Sequence, residues 1–194
     1  MTAIPADMSL TARMRRHVEE TIRRFDAAYG TYEIVEKAAT WPTGRYDGAA
    51  AHFEETGDLG GAGVWLSNRD GEVLLIRRVG EAAWTAPGGY INPDESYEET
   101  ARREVREETS VECLLTGLNQ VHVTTVTDDA DPSRPELFNL SVVFDGQHLS
   151  GSPEPDADEV EAARWWDVLP DQLQHPELHQ LPLPERTPSL TDDE

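Results

Sequence analysis

The sequence predicts a mixed α/β domain preceded by a helical extension. Three observations carry that reading. Residues 94–109 run without glycine or proline and set Tyr97, Ala101 and Val105 at helical spacing. Short apolar runs at 62–67, 72–77, 111–116, 121–126 and 137–144 have strand composition and lie on both sides of that helix along the chain. Residues 8–29 repeat Met14, Val18, Ile22, Phe25 and Tyr29 on one helical face, and Gly30 stands where a helix stops.

On the first helix Arg15, Arg16, Glu19, Glu20, Arg23 and Arg24 form the polar face, and their spacing reads as self-paired and solvated. Between 31 and 60 the signal is weak: Tyr32 and Ile34 alternate with polar residues as in a short strand, and the rest reads as loop. Gly57, Gly60, Gly61 and Gly63 lead into a strand with no lysine following, so they read as a turn and not as a phosphate loop. Asn68-Arg69-Asp70-Gly71 joins the runs 62–67 and 72–77 as a hairpin. Trp84-Thr-Ala-Pro-Gly-Gly reads as a strand ending in a turn, with Pro93 and a capping Asp94 opening the helix at 94. A polar loop at 128–135 separates 121–126 from 137–144. After an acidic loop at 152–159, EAARWWDVLPDQL reads as a strand and a short helix, and alternation sends one of Trp165 and Trp166 into the core. Beyond Leu173, Pro176, Pro182, Pro184 and Pro188 predict an extended tail. The expected organisation is an extension over 1–59, a domain over 60–173 and a tail over 174–194.

Charge narrows the partners. The 194 residues carry 38 Asp+Glu against 16 Lys+Arg, a formal charge of −22, and Lys37 is the single lysine. The pattern resembles proteins of salt-accumulating halophiles: at molar salt the Debye length is about 3 Å, so self-repulsion is screened while carboxylates keep the surface hydrated. Nucleic acid and anionic membrane are poor partners for such a surface. No apolar run approaches the roughly 20 residues of a membrane span, and the N-terminal stretch lacks the cationic start and apolar core of a signal peptide. One cysteine, Cys113, excludes an internal disulfide and reads as a buried strand residue. His175 and His179 read as incidental. The expectation is a soluble, cytoplasmic, globular protein whose anionic substrate needs a cationic bridge.

The helix at 94–109 carries carboxylates that suit one. Glu108 and Glu104 fall on the arc of Tyr97, Ala101 and Val105, Glu107 flanks it, and Glu95, Glu99, Arg102 and Arg106 lie opposite. Inward carboxylates repel one another and are costly to desolvate without compensation. Protonation, arginine pairing or a divalent cation can each relieve the cost, and a hard cation such as Mg²⁺ suits carboxylate oxygens.

Residues 89–111, GYINPDESYEETARREVREETSV, resemble the Nudix box, G-x5-E-x7-R-E-U-x-E-E-x-G-U with U aliphatic. Gly89, Glu95, Arg103, Glu104, Val105, Glu107, Glu108 and Val111 match with every spacing kept, and Ser110 replaces the final glycine. The preceding W-x-x-PGG and the later E-x-x-RWW extend the resemblance over about 60–173. A left-handed backbone at 110 would make serine cost about 1 kcal/mol without removing a metal ligand.

The resemblance implies a β-sheet sandwich flanked by helices and hydrolysis of a nucleoside diphosphate linked to another moiety, with Mg²⁺ or Mn²⁺. It makes Glu107 and Glu108 metal ligands, Glu104 a ligand or base, and a carbonyl of Gly88 or Gly89 a further ligand. Arg103 would pair with box carboxylates and Glu95 would hold Arg103. The general base stays open between a box glutamate and the later loop, where Asp156, Asp158, Glu159 and Glu161 are candidates and Glu159 is favoured. Arg77 and Arg78, on a strand beside the PGG turn, are candidate phosphate contacts, of which strand alternation allows one. Trp84 is expected to pack.

Substrate choice lies outside the box. No match to NADH, coenzyme A or diadenosine polyphosphate subgroups is seen. The position where ADP-ribose-type members often carry a proline holds Val126, with Pro132 further on. An extended N-terminal part, common in ADP-ribose-type homodimers, favours that substrate class and a homodimer. The alternatives are nucleoside triphosphate pyrophosphohydrolysis, a ligand sensor or regulator that no longer hydrolyses, and isomerisation of a prenyl diphosphate. Retention of every box glutamate favours an enzyme.

Overall fold

The computed structural model describes residues 9–181 and 183. Chain contacts divide them into two interleaved units. The first holds the described residues up to Ala62, with Tyr90–Tyr97 and Leu118–Val143. The second holds Gly63–Gly89, Glu98–Gly117 and the described residues from Phe144 onward. Strands run as a mixed sheet in the order β1-β5-β6-β2-β3-β7, with β4 paired to β2, and helices flank it: β1 (Glu33–Trp41), β2 (Gly60–Ser67), β3 (Val73–Arg78), β4 (Gly88–Tyr90), β5 (Glu112–Asp128), β6 (Leu137–Ser150) and β7 (Val160–Trp166).

In the first unit, α1 (Leu10–Tyr29) starts where the Ser9 hydroxyl accepts the Ala12 N–H, and Gly30 closes it at φ 74° with its N–H on the Asp26 carbonyl. Its buried face is Met14, Val18, Thr21 and Phe25, so Thr21 takes the inward place that spacing assigned to Ile22. Arg16 pairs with Glu20 one turn on, while Arg13 reaches Glu54 instead of a partner on its own helix. Strand β1 lies parallel to β5, from Glu33 opposite Gln120 to Trp41 opposite Asp128.

The stretch expected to be loop contains α2 (Thr43–Thr56). Pro42 precedes it and Gly44 and Gly48 lie within it, which lowers helix propensity by about 1 kcal/mol per glycine. Burial of Tyr46, Ala49 and Phe53 along one face overrides that cost. Gly57 closes the helix in the left-handed region, and Gly60, Gly61 and Gly63 are strand residues of β2 and not a turn.

The expected loop at 128–135 begins one residue later than its acids suggest. Asp128 ends β5 and is buried, accepting from the Thr43 hydroxyl at 2.8 Å and Arg134 at 2.6 Å. Arg134 also reaches Asp47 on α2 at 2.6 Å. The predicted strands 111–116 and 121–126 are one strand, β5; the sheet ladder carries the chain through Gly117, Asn119 and Gln120.

In the second unit β2 and β3 are antiparallel, and the Asn68 side-chain oxygen accepts from Asp70 N and Glu72 N to shape the hairpin. β3 lies antiparallel to β7, with a register shift between Arg77 and Arg78. Gly88 and Gly89 of the expected turn belong to β4. Trp84 is buried edge-on to Trp166 at 4.9 Å, a packing role. Neither Trp165 nor Trp166 is fully buried; Trp165 meets His148 edge-on. Cys113 is buried, and burial pushes its thiol up to about 11, so it behaves as core. No helix follows β7 directly; a 3-10 helix at Pro176–Gln180 comes later, while Pro182, Pro184 and Pro188 lie outside the described residues.

The central helix, α3 (Tyr97–Thr109), begins three residues after the predicted start. Asp94 adopts φ 67°, which places it in a turn and not at a cap. Ser110 ends the helix at φ 59° with its N–H on the Arg106 carbonyl, the left-handed geometry in which serine costs about 1 kcal/mol. Among the described residues no helix is long and apolar enough to cross a membrane.

Candidate active site

The carboxylates of interest, their arginines and the two glycines of β4 all belong to the second unit. Ala101 and Val105 are fully buried, and α3's geometry carries Glu108 in beside them, with its side chain 2% exposed. Glu104 is largely covered, whereas the Glu107 side chain is 54% exposed at the edge. The order of burial follows the helix wheel, because the stripe that packs also fixes which glutamates turn inward.

Two arginines stand among the three carboxylates. Arg103 Nη1 donates to Glu104 Oε1 at 2.6 Å and to Glu107 Oε2 at 3.0 Å. Arg78, at the end of β3, brings Nη2 to 2.7 Å from Glu108 Oε1 and donates to the Gly88 carbonyl at 2.5 Å. The other Glu108 oxygen accepts the Gly88 N–H at 2.8 Å. Burial pushes the Glu108 carboxyl up to about 7; Arg78 and the Gly88 N–H hold it down, and Glu104 adds to the rise. Burial likewise raises Glu104, against the hydrogen bond from Arg103.

Gly89 is the other half of the arrangement. A Cβ there would stand 2.4–2.5 Å from the terminal atoms of Glu104, so the carboxylate rests directly on the glycine backbone. The Gly88–Gly89 segment thus lies between the two inward carboxylates, giving an N–H to one and a bare Cα to the other.

Residues 59–184 match the NUDIX domain. The chain belongs to the NUDIX family. Membership supports pyrophosphohydrolase action on nucleotide derivatives. A protein of Bacillus subtilis (strain 168), provisionally named 8-oxo-dGTP diphosphatase, is 31% identical over 113 residues, 58% of this chain and 68% of that protein. An RNA pyrophosphohydrolase of Pseudomonas putida (strain GB-1) is 46% identical over 50 residues, 26% of this chain and 31% of that protein. The crystal structure of a MutT NUDIX hydrolase from Burkholderia pseudomallei superposes with a TM-score of 0.47 at 29% identity, covering 61% of this chain and 91% of that one.

The Nudix residues present fit a hard divalent cation on two observations. Glu108 Oε1 is buried and, apart from its ion pair with Arg78, has no hydrogen bond. The Glu104 carboxylate is cradled on Gly89, and the nearby donors are carboxylate and carbonyl oxygens, as Mg²⁺ or Mn²⁺ prefers. Among the described residues no three His, Cys, Asp or Glu side chains are grouped so as to hold a metal ion by themselves, so backbone oxygen and water would have to complete such a site.

The remaining candidates lie as follows. Glu95 sits in the turn before α3, where its carboxylate accepts the Asn92 N–H at 3.2 Å. Glu159 is exposed and gives its backbone carbonyl to the Val79 N–H. Asp156 uses its carboxylate to accept the Asp158 N–H at 3.1 Å, which shapes its own turn. Glu161 pairs with Arg77 at 2.9 Å. Arg77 and Arg78 therefore diverge, Arg77 to β7 and Arg78 to the box. Strand alternation announced the divergence, but the pairing of Arg78 with Glu108, across 30 positions of sequence, left no local signal.

Proposed function

We propose that this Nudix chain hydrolyses the diphosphate linkage of a nucleoside diphosphate derivative, ADP-ribose-like compounds being favoured, by attack of water on phosphorus. The observation that carries the reading is the Gly88–Gly89 backbone held between the inward carboxylates of Glu104 and Glu108. Glu104, Glu107 and Glu108, with a carbonyl of Gly88 or Gly89, would hold Mg²⁺ or Mn²⁺. When bound, the cation neutralises diphosphate charge and acidifies water at the reacting phosphorus. Arg103 orients Glu104 and Glu107, and Glu95 braces the turn into α3. Arg78 is better placed than Arg77 to meet phosphate, since its guanidinium already faces the box. Glu159 is the favoured general base outside the box and a box glutamate the alternative.

The segment before the matched domain, α1, β1 and α2, supports the ADP-ribose-like class and a homodimer. The 31% identical relative named for 8-oxo-dGTP supports a second reading, nucleoside triphosphate pyrophosphohydrolysis. The acidic, lysine-poor composition supports a cytoplasm rich in salt. Product analysis in high KCl with Mg²⁺ or Mn²⁺ separates the readings. AMP and ribose 5-phosphate from ADP-ribose support the first; nucleoside monophosphate and pyrophosphate from a triphosphate support the second. Binding without cleavage of any substrate would favour a sensor over both.

A further inference from the structure

Arg78 contacts the very oxygens that the proposed function gives to a divalent cation. Its guanidinium spans the buried Glu108 Oε1 and the Gly88 carbonyl, while Glu108 Oε2 is held by the Gly88 N–H and so cannot turn away freely. The arginine is anchored beside the register shift where β3 and β7 slip between Arg77 and Arg78, a feature that re-aims a strand side chain. Its own side chain is one-third exposed, unlike Glu108, so part of it already meets solvent.

We propose that Arg78 is a resident counter-charge that a divalent cation must displace from Glu108 and Gly88, and that displacement releases the guanidinium to the substrate's phosphate. This rests on the assignment of Glu108 and Gly88 as metal ligands. Arg78 is then a positioning residue with two alternating partners, the box when metal is absent and anionic phosphate when metal is bound. Each bound species weakens the hold of Arg78 on the other's site, so metal and diphosphate bind cooperatively. The apparent metal affinity of the free protein is the intrinsic affinity multiplied by the fraction of molecules in which Arg78 has left Glu108.

The test is Mn²⁺ binding to the full chain without nucleotide, read from the electron paramagnetic resonance signal of free Mn²⁺. Measurement in 1 M KCl, where the Debye length is about 3 Å, screens the long-range part of deleting a positive charge, and Arg77→Met controls for loss of a neighbouring one. Arg78→Met and Arg78→Gln are expected to bind Mn²⁺ about tenfold more tightly than wild type, and Arg77→Met, which loses a partner on β7, to bind as wild type. Either Arg78 variant that folds suffices. Unchanged or weaker binding in the Arg78 variants, or an equal gain in Arg77→Met, overturns the exchange. Glu108→Gln is the separate check on the underlying assignment: if it binds Mn²⁺ as wild type does, the ligand assignment itself fails, and the exchange with it.

Discussion

The Glu104 carboxylate lies directly on the Cα of Gly89, so closely that a methyl group at 89 would stand 2.4 Å from its carbon. Gly89 does not use a left-handed backbone, so alanine is tolerated by the main chain, and the nearest atoms its methyl group would meet are those of the Glu104 carboxylate. Gly89→Ala should therefore fold normally yet push the carboxylate outward. A displacement of about 1 Å at a reacting site costs on the order of 10- to 100-fold in rate. The expected outcome is that loss in kcat with a melting temperature close to wild type; unchanged kcat would show that Glu104 need not rest there.

Glu108 makes stability depend on pH in a direction opposite to that of most carboxylates. Its carboxyl is raised to about 7 by burial, above an unfolded value near 4.5, so between these values the folded state binds the extra proton. This group's contribution is present below about 4.5 and is lost as pH rises through about 7. With chelator present, Glu108→Gln should gain melting temperature relative to wild type on going from pH 5 to pH 8. A difference that stays constant across that range contradicts the raised value.

The buried Asp128 joins β5 to α2 through Thr43 and Arg134. Burial disfavours its charge, but the Ala130 N–H, Thr43 and Arg134 outweigh it and hold the carboxyl down at about 2. Its contribution is present above an ordinary carboxylate value and is lost only as pH falls toward 2. Arg134→Met should lower the melting temperature by several degrees at pH 7, because it strips a buried carboxylate of its cation. No group of the candidate site belongs to this network, so kcat should stay within about twofold, as expected of groups with no shared partner.

That network also shows where sequence reading stops. Periodicity made α1 and α3 legible, because Met14, Val18 and Phe25 or Tyr97, Ala101 and Val105 mark a buried stripe without reference to anything distant. The same stripe predicted which of Glu104, Glu107 and Glu108 turn inward. Helix α2 was illegible because Gly44 and Gly48 speak against it locally, and only packing of Tyr46, Ala49 and Phe53 overrides them. With α2 read as loop, Asp128 had no visible partner and passed for a loop acid. Arg78 is the corresponding case in the site: its role depends on a strand end meeting a helix, and nothing near it in the chain records that meeting.

The composition carries a prediction of its own. A formal charge of −22 with a single lysine should make the fold depend on screening. The melting temperature should rise steadily from millimolar to molar KCl, measured by circular dichroism, and a flat profile would contradict the reading of the surface as adapted to salt.

The central claim is that the inward carboxylates of α3 hold the cation on which hydrolysis depends. It is tested most directly by turnover of Glu108→Gln against wild type in Mn²⁺, on whichever diphosphate substrate wild type cleaves, with the fold checked by circular dichroism. Because a bound cation supplies several kcal/mol of transition-state stabilisation, loss of a carboxylate that holds it is expected to cost on the order of 10²-fold or more in kcat, with activity in wild type abolished by chelator and restored by Mn²⁺. A folded Glu108→Gln protein with wild-type turnover, or wild-type turnover that persists in chelator, would contradict the claim.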